Sequence, residues 1–316
     1  MIKINALCIS MDDKDNGKTW LSAKVRIEEA GFSAFHFPGV DGKKLTDVQL
    51  QKLLTIPAYS KLIHTNQRSS AEELPSLGAV GCYLAHVHAC DCAHDYLTNV
   101  DSYSDSDSND TDIVYKNGDK LDIINHDNKK KMIMIVESDV IFTLSKSAIE
   151  KAISQLQNLD FDLALLDYFN RRQVSTEPSD QAEWHFLKPG SQYMGNHCYI
   201  LSERGARKLA AINHSEENKK IECQIDTFYS HCIAAKGLVV VGCNTQLASQ
   251  TLHLSSVQGK RLRTFGVPSD LLPNDPISVN FNRIRMQLSN WCQLDQYKKK
   301  YGGGFNPTGK RKTSTQ

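Results

Sequence analysis

Met132-Ile133-Met134-Ile135-Val136-Glu137-Ser138-Asp139 is a run of five apolar residues followed at once by two carboxylates spaced one apart. The run has no alternation of apolar and polar residues, as expected of a strand covered by helices on both faces. Its acids then fall at the strand's carboxyl end, the edge of an open α/β sheet where ligands collect. Carboxylates at the rim of a core are costly unless compensated. A divalent cation that also grips a diphosphate removes that cost, and all-oxygen ligands suit Mn2+ or Mg2+ rather than zinc. By spacing alone, such a triplet is more often a helix cap or a solvated turn, so its neighbours must decide.

On the amino-terminal side, residues 2–9 read as a first strand. Residues 19–30 have helical spacing (Leu21, Val25, Ile27) and stop at Gly31, and residues 34–37 form a second strand that enters the turn Pro38-Gly39-Val40-Asp41-Gly42. A longer helix is expected over residues 78–97, with Val80, Tyr83, Leu84, Val87 and Cys90 on one face. On the carboxyl side, residues 163–166 end in Asp167, residues 198–201 lead into a helix over 203–211, a helix covers 224–235, and residues 238–241 form a late strand. Strands alternating with helices predict an α/β fold with a central, mostly parallel sheet flanked by helices.

One domain is expected over residues 1–272. Within it, residues 99–131 form an acidic, Ser-rich insertion whose composition cannot cover its ordering entropy by burial. Residues 273–316 are expected to be an extension with a disordered basic tail, Lys310-Arg311-Lys312.

Composition narrows the function. With 316 residues and 40% hydrophobic content the chain can bury a full core, and 37 Lys plus Arg against 36 Asp plus Glu leave no global field to hold nucleic acid. No stretch approaches the roughly 20 apolar residues needed to span a bilayer. The apolar start is too short for a signal sequence and meets Asp12 and Asp13, so a cytoplasmic location is expected, with the nine cysteines reduced and the sequons at Asn109 and Asn213 unused. Cys82, His86, Cys90 and His94 stand at four-residue steps, yet a helix sets the outer pair roughly 18 Å apart, so at most two neighbours could share one ion; packing is the simpler expectation for them. Gly17-Lys18-Thr19 is not the end of a phosphate-binding loop, because position 12 is Asp12 rather than glycine.

Taken in order, several segments resemble glycosyltransferase family 25, which includes lipopolysaccharide and procollagen galactosyltransferases. Gly39-Val40-Asp41-Gly42 stands where the family has A-V-D-G, and Gly78-Ala79-Val80-Gly81-Cys82-Tyr83-Leu84-Ala85-His86 is similar to its G-E-I-G-C-x-x-S-H helix head. The strand ending Glu137-Ser138-Asp139 resembles its E-D-D strand. Gly195-Asn196-His197-Cys198-Tyr199 followed by Ser202-Glu203-Arg204-Gly205-Ala206 resembles G-T-H-A-Y and S-x-x-G-A, and Ile225-Asp226 opens a helix as a similar pair does there. The chain departs from the pattern at Ala79, Ala85, Ser138 and Asn196, and the arginine that opens the family's first helix is replaced by Lys18 or absent.

This resemblance implies a GT-A-type fold and a metal-dependent, inverting transfer of galactose or glucose from a UDP-sugar donor to a hydroxyl of a glycan or hydroxylysine acceptor. It implies Asp139 as a metal ligand, Glu137 on the metal or the ribose, and His253 as a further metal ligand. Asp226 would act as the base, with Asp167 the second choice or a donor-sugar contact. Gly195 and His197 would lie near the donor phosphates or sugar, and Asp41 and Gly42 near the nucleotide. The alternative is a glycan-binding or adhesion protein that keeps the fold without turnover.

Overall fold

The apolar run at 132–136 lies at the centre of the sheet in a computed structural model that describes residues 4–11, 17–65, 73–99, 113–114, 120–121, 130–167, 169–170, 184–188, 193–243 and 247–250. Seven strands are ordered β2 (Ser33–Pro38), β1 (Asn5–Ser10), β5 (Met132–Glu137), β11 (Cys198–Ser202), β7 (Leu163–Leu165), β12 (Val240–Cys243) and β9 (Trp184–Phe186). Two-stranded ladders join β3 (Ile113–Val114) to β4 (Lys120–Leu121), β6 (Val140–Phe142) to β13 (Ala248–Gln250), and β8 (Phe169–Asn170) to β10 (Tyr193–Met194). The helices are α1 (Lys18–Glu29), α2 (Asp47–Leu53), α3 (Ile56–Ser60), α4 (Leu77–Asn99), α5 (Lys146–Leu156), α6 (Glu203–Asn213) and α7 (Ile225–Ala235).

The expected mostly parallel sheet is in fact mixed. Strands β1, β2 and β5 pair in parallel, as do β7 and β12, but β11 runs against both β5 and β7, and β9 runs against β12. Between β7 and β11 the described residues hold the short strands β8, β9 and β10, and β11 enters the sheet running against β7. Consequently the amino end of β11 lies at the same edge as the carboxyl ends of β5 and β7.

Alternation along each strand divides the core into two layers. Leu7, Ile133, Ile135, Leu163, Leu165, Tyr199 and Leu201 pack with Val80, Tyr83 and Ala89 of α4, Leu209 of α6 and Tyr229 of α7. Ala6, Cys8, Met132, Met134, Val136, Cys198 and Ile200 pack on the other face with Ala23 and Ile27 of α1 and Ile149, Ala152, Ile153 and Leu156 of α5. Helix α1 ends where expected, with Gly31 at φ 98°, but its inward face is not the expected one, because Leu21 and Val25 are more than half exposed. Helices α2 and α5, not anticipated from the sequence, begin at Thr46 and Ser145, whose hydroxyls accept from the backbone N–H three residues on.

Close backbone contacts fix the site's edge. At Gly42 a Cβ would fall 1.8 Å from the Leu77 carbonyl oxygen, and at Gly81 it would fall 2.2 Å from that of Val40. The turn at 39–42 is therefore pressed directly against the head of α4. Similarly, a Cβ at Gly205 would lie 1.8 Å from the Asp162 carbonyl oxygen, holding α6 against β7. The buried Asp162 carboxylate also pairs with Arg204 (2.5 Å) and Lys208 (2.8 Å).

Among the described residues no helix is long and apolar enough to cross a membrane. The tail, the proposed boundary at 272 and all but a few residues of the 99–131 insertion lie outside the described residues.

Candidate active site

Glu137, Ser138 and Asp139 form the tight turn between β5 and β6. The Glu137 N–H donates to the His197 carbonyl (2.8 Å) and the Ser138 N–H to that of Ile9 (3.0 Å), which ties the turn to β11 and β1. Arg26 of α1 clamps it from below, donating through Nη2 to the Ser138 carbonyl (2.8 Å) and through Nε to the Val140 carbonyl (2.7 Å). Charge-assisted bonds of this kind contribute roughly 1.5–3 kcal/mol each. Arg26 was not picked out from the sequence, and the only signal for it there is an arginine beside the inward-facing Ile27.

The two acids face different surroundings. Glu137 is engaged at both oxygens: Oε1 lies 3.1 Å from His86 Nε2 and accepts from Cys82 Sγ (3.6 Å), while Oε2 accepts from Gln250 Nε2 (3.2 Å). Burial opposes its ionisation, but the hydrogen bond and charge of His86 outweigh that and hold it below the usual carboxylate range. Asp139 has a buried Oδ1 with no hydrogen-bond partner. Burial first, and then the neighbouring Glu137 charge, push its pKa up to about 7 against the opposing pull of His197 and Arg26.

Opposite them, His197 Nε2 lies 2.7 Å from Asp167 Oδ2, with both side chains almost fully buried. Burial would lower the His197 pKa, but Asp167, Glu137 and Asp139 together raise it above its ordinary value. Asp226 lies at the second position of α7, not at its cap, which is Gln224. Its Oδ1 accepts from the Thr227 N–H (2.8 Å) and its Oδ2 from the Gly195 N–H (3.3 Å). Gly195 takes a left-handed φ of 103°, and the adjacent Asn196 is 5% exposed with neither amide atom hydrogen-bonded.

The structure thus brings Glu137, Asp139, Asp167, Gly195, His197 and Asp226 to one edge. Asp41 follows β2 at that edge, where its side chain caps the short helical turn at 42–44, and Gly42 is buried against α4. His253 lies outside the described residues, three positions beyond Gln250.

Cys82 packs against the core and His86 is fully buried, and both also approach Glu137. Cys82 Sγ, a His86 ring nitrogen and a Glu137 oxygen lie within 4.8 Å of one another, whereas Cys90 contacts Tyr229 (3.1 Å) and His94 faces Asp95. The third member comes from a strand 51 residues beyond His86, beyond the reach of helical spacing.

The fit to a hard divalent cation rests on Asp139. A buried carboxylate oxygen without a partner is costly when charged, a cost that either protonation or a cation removes. Glu137, held by its neighbours, is positioned alongside.

Asp139 and His197 bear on the pH dependence of the metal-free fold between pH 5.5 and pH 8. Asp139 holds a proton in the folded state between its ordinary value of 3.8 and about 7, so its contribution to stability falls as pH rises through that window. His197, raised above its ordinary 6.5, contributes stability below that value that is lost as pH rises through its folded pKa. Both have the same sign, so the metal-free protein is expected to melt at a higher temperature at pH 5.5 than at pH 8. A melting temperature that rises over that range would contradict these assignments.

No protein-family model and no curated protein matches the chain.

Proposed function

We propose that the chain is a GT-A-type glycosyltransferase that moves a hexose, galactose or glucose, from a UDP-sugar to a hydroxyl of a glycan or hydroxylysine, with inversion. The observation that carries this reading is the convergence at one sheet edge of motifs far apart in sequence, the same motifs that resemble glycosyltransferase family 25, around an Asp139 oxygen with no partner of its own.

Asp139 would hold Mn2+ or Mg2+, with Glu137 beside it and His253 a further candidate ligand. The ion would supply neutralising charge for the departing diphosphate. His197, whose protonated form Asp167 favours, would lie on the donor side, and the Asn196 amide offers a donor and an acceptor to sugar hydroxyls. Asp226 is oriented by two backbone N–H groups as the base. Its carboxylate takes the acceptor hydroxyl proton as the new bond to the anomeric carbon forms and the bond to the diphosphate oxygen breaks.

A panel of nucleotide sugars with Mn2+, read as released nucleoside diphosphate, is expected to show metal-dependent release from one UDP-sugar. Background release from every donor, the same in wild type and Asp139→Asn, would favour the binding-protein alternative. In the same assay Asp226→Asn is expected to keep donor affinity while transfer falls by about 10²–10⁴-fold. Unaltered turnover would remove Asp226 from the role.

A further inference from the structure

We propose that Cys82, His86 and Glu137 form a second cation site, one that takes a soft divalent ion of the zinc class through one sulfur, one nitrogen and one oxygen. This proposal does not rest on sugar transfer.

Ligands around a tetrahedral zinc, with bonds of about 2.0–2.3 Å, stand about 3.4–3.6 Å apart. Two edges of the triangle already have nearly that size: Cys82 Sγ to Glu137 Oε1 is 3.6 Å and His86 Nε2 to the same oxygen is 3.1 Å. The third, between Cys82 and His86, is bounded at 4.8 Å and needs only side-chain adjustment along one turn of α4.

The surrounding groups are those a metal-bound histidine needs. A nitrogen that binds metal carries no proton, so the other must carry it. His86 Nδ1 lies 3.1 Å from the hydroxyl of Tyr199, which is fully buried and can accept that N–H bond. Without metal the same ring faces Glu137 through Nε2 and the tyrosine hydroxyl through Nδ1. Binding needs His86 Nε2 free of a proton and loss of the thiol proton of Cys82 to solvent. Glu137 is steadied from its far side by Gln250.

With three protein ligands, the fourth position of a tetrahedral ion is left for water or a small ligand, and the partial exposure of Cys82 and of Glu137 (26%) leaves a way in. Thiolate and imidazole separate this site from the Asp139 corner, because they select zinc over Mn2+ and Mg2+.

Cobalt(II), with a spectrum that reports thiolate ligation, is the probe. Titrated into the full metal-free chain under a non-chelating phosphine reductant and without nucleotide sugar, it should give a thiolate charge-transfer band at one equivalent, bleached by added zinc. Cys82→Ser should lose the band, His86→Gln should weaken cobalt and zinc binding by at least about 100-fold, and Asp139→Asn should keep both. No band in the wild type, a band that survives in Cys82→Ser, or zinc affinity unchanged in His86→Gln would overturn the proposal. If Cys82→Ser does not fold, the wild-type spectrum and His86→Gln still decide. Because no sugar donor is present, failure here leaves the transferase reading intact, and inactivity with every nucleotide sugar leaves this site intact.

Discussion

Asp139→Asn is expected to lose metal-dependent sugar transfer by at least about 10³-fold while making the metal-free protein more stable above pH 7. The first effect follows from removing a charged oxygen ligand, since metal stabilisation of a departing diphosphate amounts to several kcal/mol. The second follows from burial. Asp139 ionises against its own desolvation and the Glu137 charge, which lift its pKa from 3.8 to about 7, and the neutral amide escapes that cost of a few kcal/mol. The melting temperature at pH 8 should therefore rise, and the fall in stability from pH 5.5 to pH 8 should flatten. An acid that merely caps a turn would behave in the opposite way, losing stability without changing turnover.

Gly81→Ala is expected to lower stability strongly. Its new methyl would meet the Val40 carbonyl oxygen at 2.2 Å and the Gly42 nitrogen at 2.7 Å, both backbone atoms that cannot rotate aside. Overpacking of this kind costs about 3 kcal/mol or more, which for a chain of this size lowers the melting temperature by roughly 6–12 °C. Thermal unfolding measured by circular dichroism checks it, and a shift under about 2 °C would mean that the turn at 39–42 yields easily. Because that turn carries Asp41, the variant should also weaken whatever Asp41 holds.

The contacts around these residues also show what the sequence could convey. The run at 132–136 was readable because burial on both faces leaves no polar alternation, and Ile133 and Met134 do enter opposite core layers. The stop at Gly31 was readable from its residue type. Strand direction was not, since β11 has the same apolar character whichever way it runs. Helix α1 misled because Leu21 and Val25 share a helical spacing but face solvent, while the smaller Ala23 takes the inward position. Helix α5 was overlooked although Ser145 and the series Ile149, Ala152, Ile153 and Leu156 carry both of its signals.

At the site, Glu137, Asp139, Asp167, His197 and Asp226 could be named from strand ends and motif order. The contacts that define their states could not. Arg26 reaches the acidic turn across 112 residues and His86 reaches Glu137 across 51, and neither separation leaves a local pattern. The glycines of the family-like motifs have a packing reason here: Gly42 and Gly81 meet each other's segments, and Gly205 meets Asp162.

Binding of Mn2+, followed by electron paramagnetic resonance with and without UDP, bears most directly on the Asp139 corner. One ion per chain should bind, more tightly when UDP is present, and Asp139→Asn should lose that UDP-linked binding. Binding that ignores UDP, or that is equal in Asp139→Asn, would contradict a cation and diphosphate held there.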